Sequence, residues 1–214
     1  MNKVVILIHG YNVSNPERSV GLLRPCFEKL GYEVVMLNYG YWPFTWQITR
    51  QNPKVAKRLA VLVEEWNAKG YAVDLCGHSN GDTIIRLASR DYQIDVRTVV
   101  GINPALKKDT HPCPTAKLVQ VWYNGGDMPV VLGKWLRWLT PWARKARPWG
   151  QMGMEGYRGD VTDSPVVSFD AGNSFKVKAS GHSAVFKKPE RGFFLSRIAL
   201  YCHDQSMRVG PGDA

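Results

Sequence analysis

Gly77-His78-Ser79-Asn80-Gly81 fits the spacing Gly-x-Ser-x-Gly. The apolar and β-branched run Tyr71-Ala72-Val73-Asp74-Leu75-Cys76 precedes it, and a helix-compatible stretch from Asp82 to Arg90 follows. A strand, a sharp turn and a helix with serine at the apex force strained backbone angles on that serine. Flanking glycines relieve the crowding, so the hydroxyl projects outward. On its own the motif would also suit a glycine-rich turn at a strand end; the flanking strand and helix favour the nucleophile. The chemistry of such a serine is attack on an acyl carbonyl. A hydroxyl is a weak nucleophile, so a base must take its proton and a third group must hold that base in the right tautomer.

Five histidines are available as the base. His9 belongs to a strand-end turn, His78 lies inside the serine turn, His111 sits in a proline-rich loop and His203 in the tail. His182, in Ser180-Gly181-His182-Ser183-Ala184, follows the last predicted strand and is the best placed. The acid is expected between serine and histidine in the chain. Asp127 follows the run Leu118–Tyr123 through Asn124-Gly125-Gly126, and those glycines let the chain turn a carboxylate toward a neighbouring loop. Asp109, Asp160 and Asp163 compete, Asp109 most closely because it follows the preceding strand. Acyl transfer also places negative charge on an oxygen, which preorganised backbone N–H groups stabilise. One donor is expected from the amide of Asn80 at the helix start, the other from the amide of Tyr11, with Gly10 permitting close approach and His9 shaping the loop.

The elements that must position these groups alternate along the chain. Strands are expected over 3–8, 32–39, 71–76, 96–102 and 117–123, with a weaker one over 165–169. Helices are expected over 16–30 (Asn15 as cap, Pro16 first, Gly31 as stop), over 54–69 ending at Gly70, over 82–90 and over 193–201. Alternation of this kind predicts βαβ units and a mostly parallel sheet covered on both faces. Ligands of such sheets bind beyond the carboxyl ends of the strands, which is where His9-Gly10-Tyr11, Ser79 and Asp127 fall.

At 214 residues, 44% hydrophobic and 21% charged, the chain reads as one soluble domain over 1–202, with a polar tail over 203–214 expected to fray. No apolar run is long enough to span a membrane, and the run Val4–Ile8 is too short for a signal-peptide core, so a cytoplasmic location is expected. Cys26, Cys76, Cys113 and Cys202 lack metal-like spacing and are expected to be free thiols; no metal is expected. The net charge of +10 concentrates in two stretches, 134–147 and 176–191. A solvated basic surface and attraction to an anionic substrate, lipid surface or nucleic acid both fit, although no nucleic-acid motif is present. Two segments interrupt the alternation. They are the aromatic run Tyr39–Trp46 and a tryptophan-rich insertion over about 128–159, and each fits either the core or a wall of an acyl pocket; the first is read as the pocket, with Tyr41, Trp42, Phe44 and Trp46 as substrate-binding candidates, and the second stays open.

His9-Gly10-Tyr11, Gly77-His78-Ser79-Asn80-Gly81, Gly125-Gly126-Asp127 and Gly181-His182-Ser183, in that order, resemble the α/β-hydrolases. The resemblance covers most of the chain. It implies an α/β-hydrolase fold, a three-layer α/β/α arrangement, a Ser79, Asp127 and His182 triad, and an oxyanion hole at Tyr11 and Asn80, with no cofactor. Because the chain begins at the strand before the oxyanion loop, the sheet is expected to be reduced to about six strands. No long cap domain is present, so the site is expected to be open or covered only by loops. The function expected is hydrolysis of an ester or thioester, with a small-molecule or lipid-like acyl substrate, neutral or anionic. Two alternatives stay open: an acyltransferase using the same serine, and a binding module that keeps the fold without catalysis. The oligomeric state is not legible.

Overall fold

Successive side chains of a strand point to opposite faces, and here both faces feed a core. In the first strand, β1 (Lys3–Ile8), Val4, Ile6 and Ile8 join one buried cluster, while Val5 and Leu7 join another. Five more strands continue the sheet: β2 (Tyr32–Leu37), β3 (Ala72–His78), β4 (Val96–Ile102), β5 (Ala116–Tyr123) and β6 (Val166–Asp170). Their order is β2-β1-β3-β4-β5-β6, and every pairing is parallel. The computed structural model describes residues 2–11, 13–41, 45–125, 151–159, 165–171, 183–186 and 191–208.

Helices α2 (Thr45–Ala68) and α3 (Asn80–Tyr92) cover one face through Val55, Ala56, Leu59, Val63, Ile84, Ile85 and Ala88. Helices α1 (Arg24–Lys29) and α5 (Arg191–Arg208) cover the other through Phe27, Phe194, Leu195, Ile198 and Ala199. An all-parallel sheet needs this double cover. The result is the expected six-stranded, three-layer α/β/α sandwich. Connections from β1 run to β2 on one side, and those from β3 run to β4 on the other. The order therefore reverses between β1 and β3, where ligands of open α/β sheets bind. The parallel register aligns Ile8 with Gly77 and Gly77 with Gly101, so the ends of the central strands are level.

Local signals account for several boundaries. The Asn15 side chain accepts from the Glu17 amide at 3.0 Å, and Pro16 opens the following turn, as expected. That segment is two short 3-10 turns, Pro16–Arg18 and Val20–Leu23, before α1, where one continuous helix was expected. Helix α2 starts nine residues before the expected position and runs through Pro53. Helix α5 runs on to Arg208, seven residues past the expected helix end at 201. Cys202 is fully buried beneath the second core, and the His203 ring meets Tyr32 edge-on at 6.2 Å, which holds the extra turns down. The described end of the tryptophan-rich insertion is also core: Met152, in the short helix α4 (Met152–Glu155), is fully buried. All four cysteines are free thiols, three of them buried. Among the described residues no helix is long and apolar enough to cross a membrane.

Candidate active site

Strand β3 ends at His78 and α3 begins at Asn80, so Ser79 alone makes the turn between them. Its backbone sits at φ 56° and ψ −113°, outside the regions an L-residue favours. Such a conformation costs about 1–3 kcal/mol and persists only where its surroundings over-determine it. Here the Ser79 amide donates to Ile102 O at 3.0 Å, and Ser79 O accepts from the amides of Ala105 at 3.1 Å and Asp82 at 3.2 Å. These bonds anchor the turn to the end of β4 and to the loop beyond it. Ser79 keeps 9% of its surface exposed at the carboxyl edge of the sheet.

Two glycines bring the β1 loop against this turn. A methyl group on Gly81 would lie 2.4 Å from Ile8 O, so the first turn of α3 rests directly on the end of β1. One on Gly10 would lie 3.1 Å from Ser79 Cβ and 3.1 Å from His78 Nδ1. The loop His9-Gly10-Tyr11 thus passes beside the serine. The first amides of a helix have no intrahelical acceptor, and the dipole favours negative charge there. The Asn80 amide occupies that position.

Buried polar groups surround the turn. His9 is fully buried; its Nε2 accepts from the Tyr39 amide at 3.3 Å and its Nδ1 lies 2.8 Å from Gly10 O. A carbonyl only accepts, so Nδ1 carries the proton. Burial lowers the His9 pKa, outweighing its hydrogen bonds, and keeps the ring neutral. Asp82, one turn along α3, is fully buried with neither carboxyl oxygen hydrogen-bonded. Its Oδ1 lies against the backbone of β3 and β4: methyl groups on Gly77 and Gly101 would come within 2.8 and 2.6 Å. Burial pushes its pKa well up, which favours the neutral acid.

Of the residues expected in the site, Ser79, Asn80 and the Tyr11 loop come together at the β1 and β3 ends. Tyr11 forms the turn after β1 and is half-buried; burial and then the nearby Tyr41 push its phenol pKa up. Tyr41 is 52% exposed beyond the end of β2. Trp46 belongs to the first turn of α2, with its side chain outside the described residues. Trp42, Phe44, Asp127, His182, Asp160 and Asp163 lie outside the described residues. Asp109 is an exposed residue of the loop between β4 and β5. Tyr39, Asn52 and Asp82 were not singled out from sequence, yet all three are buried around the turn. A polar residue one turn after the serine was the one available signal, for Asp82.

No protein-family model matches the chain, and no curated protein matches its sequence. Solved structures do. A dienelactone hydrolase from Anabaena variabilis is 15% identical with a TM-score of 0.55, over 97% of this chain and 87% of that one. Est1E from Butyrivibrio proteoclasticus is 11% identical with a TM-score of 0.54, over 97% and 89%. A protein from Xanthomonas campestris, described as an α/β serine hydrolase without a lid, is 14% identical with a TM-score of 0.52, over 100% and 86%. With its six parallel strands, its two covering layers and these structural neighbours, the chain has the α/β-hydrolase fold.

Proposed function

We propose that the protein is a serine hydrolase that cleaves an ester or thioester through an acyl-enzyme on Ser79. As the Ser79 oxygen bonds to the acyl carbon, His182 takes its proton and the carbonyl electrons move onto oxygen. The amides of Asn80 and Tyr11 hold that oxyanion. Collapse expels the alcohol or thiol, which receives its proton from His182. Water, deprotonated by His182, then attacks the acyl carbon and frees Ser79. Asp127 keeps His182 in the productive tautomer. Tyr41, Trp42, Phe44 and Trp46 border the acyl group, and basic residues favour a substrate with an anionic leaving part.

The observation that carries this reading is the Ser79 backbone at φ 56°, strained at the apex between β3 and α3 with Gly10 at its side. Strain of this kind gathers at functional sites. His9 has both ring nitrogens engaged with backbone groups, which argues for His182 as the base. Further support comes from the fold, which the lid-less serine hydrolase and the dienelactone hydrolase share.

A panel of p-nitrophenyl esters and acyl thioesters tests the reading. Ser79→Ala is expected to lose about 10⁴-fold or more in turnover with the fold intact. Asp127→Asn is expected to lose about 10⁴-fold, and Asp109→Asn little. Unchanged turnover in Ser79→Ala rejects the nucleophile; the reverse result for the two aspartates moves the acid to Asp109. A KM that rises with salt for anionic substrates but not neutral ones would support the anionic leaving part, and a flat KM would remove it.

A further inference from the structure

Four buried polar side chains from four different segments meet beneath the Ser79 turn: His9 after β1, Tyr39 after β2, Asn52 in α2 and Asn80 at the start of α3. Asn52 and Asn80 form a reciprocal amide pair. Asn52 Nδ2 donates to Asn80 Oδ1 at 2.9 Å, and Asn80 Nδ2 donates to Asn52 Oδ1 at 3.1 Å. Asn80 Nδ2 also reaches the Tyr39 hydroxyl at 3.4 Å, and that hydroxyl donates to His9 O at 2.7 Å. The Tyr39 ring stacks on the His9 imidazole with centroids 3.8 Å apart and planes 16° from parallel. The Tyr39 amide and Gly10 O engage the two imidazole nitrogens. A continuous chain of contacts therefore runs from α2, through the first residue of α3, to the loop that ends at Tyr11.

Packing does not require this. Two apolar side chains of similar shape in place of a buried hydrogen-bonded pair are often nearly neutral for stability. What directional bonds add is a fixed separation and orientation, and a fully satisfied buried network rigidifies the groups it joins. The groups joined here are the two backbone segments that flank the Ser79 hydroxyl. An oxyanion hole works only if its two donors are held in place before charge develops.

We propose, resting on the serine-hydrolase reading above, that Asn52 and Tyr39 are positioning residues that set the spacing of the Asn80 and Tyr11 amides around one oxyanion. Neither contacts the reacting atoms. Asn52 acts through the Asn80 side chain, and Tyr39 acts through the His9 carbonyl and the Asn80 amide group.

The test compares wild type, Asn52→Ala, Asn80→Ala, the double variant and Tyr39→Phe. Three quantities are read: kcat and KM on a p-nitrophenyl ester, the inhibition constant of an aryl trifluoromethyl ketone, and the thermal midpoint. The ketone adds reversibly to the serine oxygen and leaves an oxyanion in the hole, so its affinity reports donor placement directly. In Asn52→Ala, kcat is expected to fall about 10- to 100-fold while KM changes little, and the ketone is expected to weaken by the same factor as kcat/KM. The double variant is expected to match the worse single variant, because both remove one link. Tyr39→Phe keeps the ring on His9 and removes one hydroxyl, so it carries the test even if Asn52→Ala does not fold; its kcat and ketone affinity are expected to fall together. A purely structural network would lower the midpoint and leave kcat and ketone affinity at wild-type values, and that result overturns the proposal. A wild type that neither turns over esters nor takes a fluorophosphonate on Ser79 fails at the earlier step and removes the hydrolase reading itself. A labelled, active wild type with indifferent network variants removes only the positioning role.

Discussion

Gly81→Ala sets two backbone effects against each other. Alanine is favoured over glycine inside a helix by about 1 kcal/mol, and Gly81 is the second residue of α3, so propensity alone predicts stabilisation. The new methyl would, however, sit 2.4 Å from Ile8 O and 3.1 Å from His9 O. Carbon and carbonyl oxygen ordinarily meet at about 3.3 Å, so the overlap is roughly 0.9 Å. Its partner is not a side chain that can swing away. Ile8 is the last residue of β1, which pairs along its length with β2 on one side and β3 on the other. Relief must come from moving α3 off the sheet, and overpacking of this kind costs about 1–3 kcal/mol, here at the upper end. The expected net loss is about 2 kcal/mol, or roughly 4–8 °C in thermal midpoint for a chain of this size. Because the displaced residue is two from Ser79, kcat should fall as well. Thermal unfolding followed by circular dichroism, with ester turnover on the same preparation, checks both. A midpoint at or above that of wild type, with turnover intact, would refute the close approach of α3 to β1.

Two further predictions concern buried charge. Burial raises the Asp82 pKa well above its ordinary value, so the folded state holds a proton that the unfolded chain releases near pH 4. The folded state then binds more protons, and stability contributed by this group is full below that pH and lost as pH rises toward the folded pKa. Asp82→Asn should gain on wild type as pH rises above about 4 in urea unfolding, and parallel pH profiles would mean the carboxyl is not buried neutral. On β3 and β4, Arg97 donates to both oxygens of fully buried Asp74, which also accepts from the Thr98 amide at 3.0 Å. Arg97→Ala strands that carboxylate and should cost about 3 kcal/mol, roughly 6–12 °C, and a loss under about 1 kcal/mol would show that Asp74 simply protonates.

Much of the frame was legible because its signals are local. The boundaries of β1 and β4 follow from short apolar runs bounded by polar residues, and the Ser79 turn follows from its glycines and flanking elements. Gly31 and Gly70 adopt φ 78° where helices α1 and α2 stop, as a left-handed stop requires. The start of α2 was missed because the apolar spacing that marks the helix begins at Val55, just after Pro53, a residue that ordinarily interrupts a helix, whereas the helix runs through it. Tertiary contacts override such a local signal, and here Asn52 is paired with Asn80. That pair is 28 residues apart, and nothing in either segment announces it. The fate of Asp82 was equally hidden: only the level ends of β3 and β4 make a site where its carboxyl is enclosed. The continuation of α5 past 201 was hidden in the same way, because the burial of Cys202 among the second core depends on residues far away in the chain.

The central claim is that Ser79 is an activated nucleophile. Intact-mass measurement after fluorophosphonate treatment, with peptide mapping of the adduct, tests it most directly. One adduct is expected per chain, on the peptide carrying Ser79, and none on a folded Ser79→Ala variant. An unlabelled wild type, or equal labelling of the Ser79→Ala variant, would contradict the account.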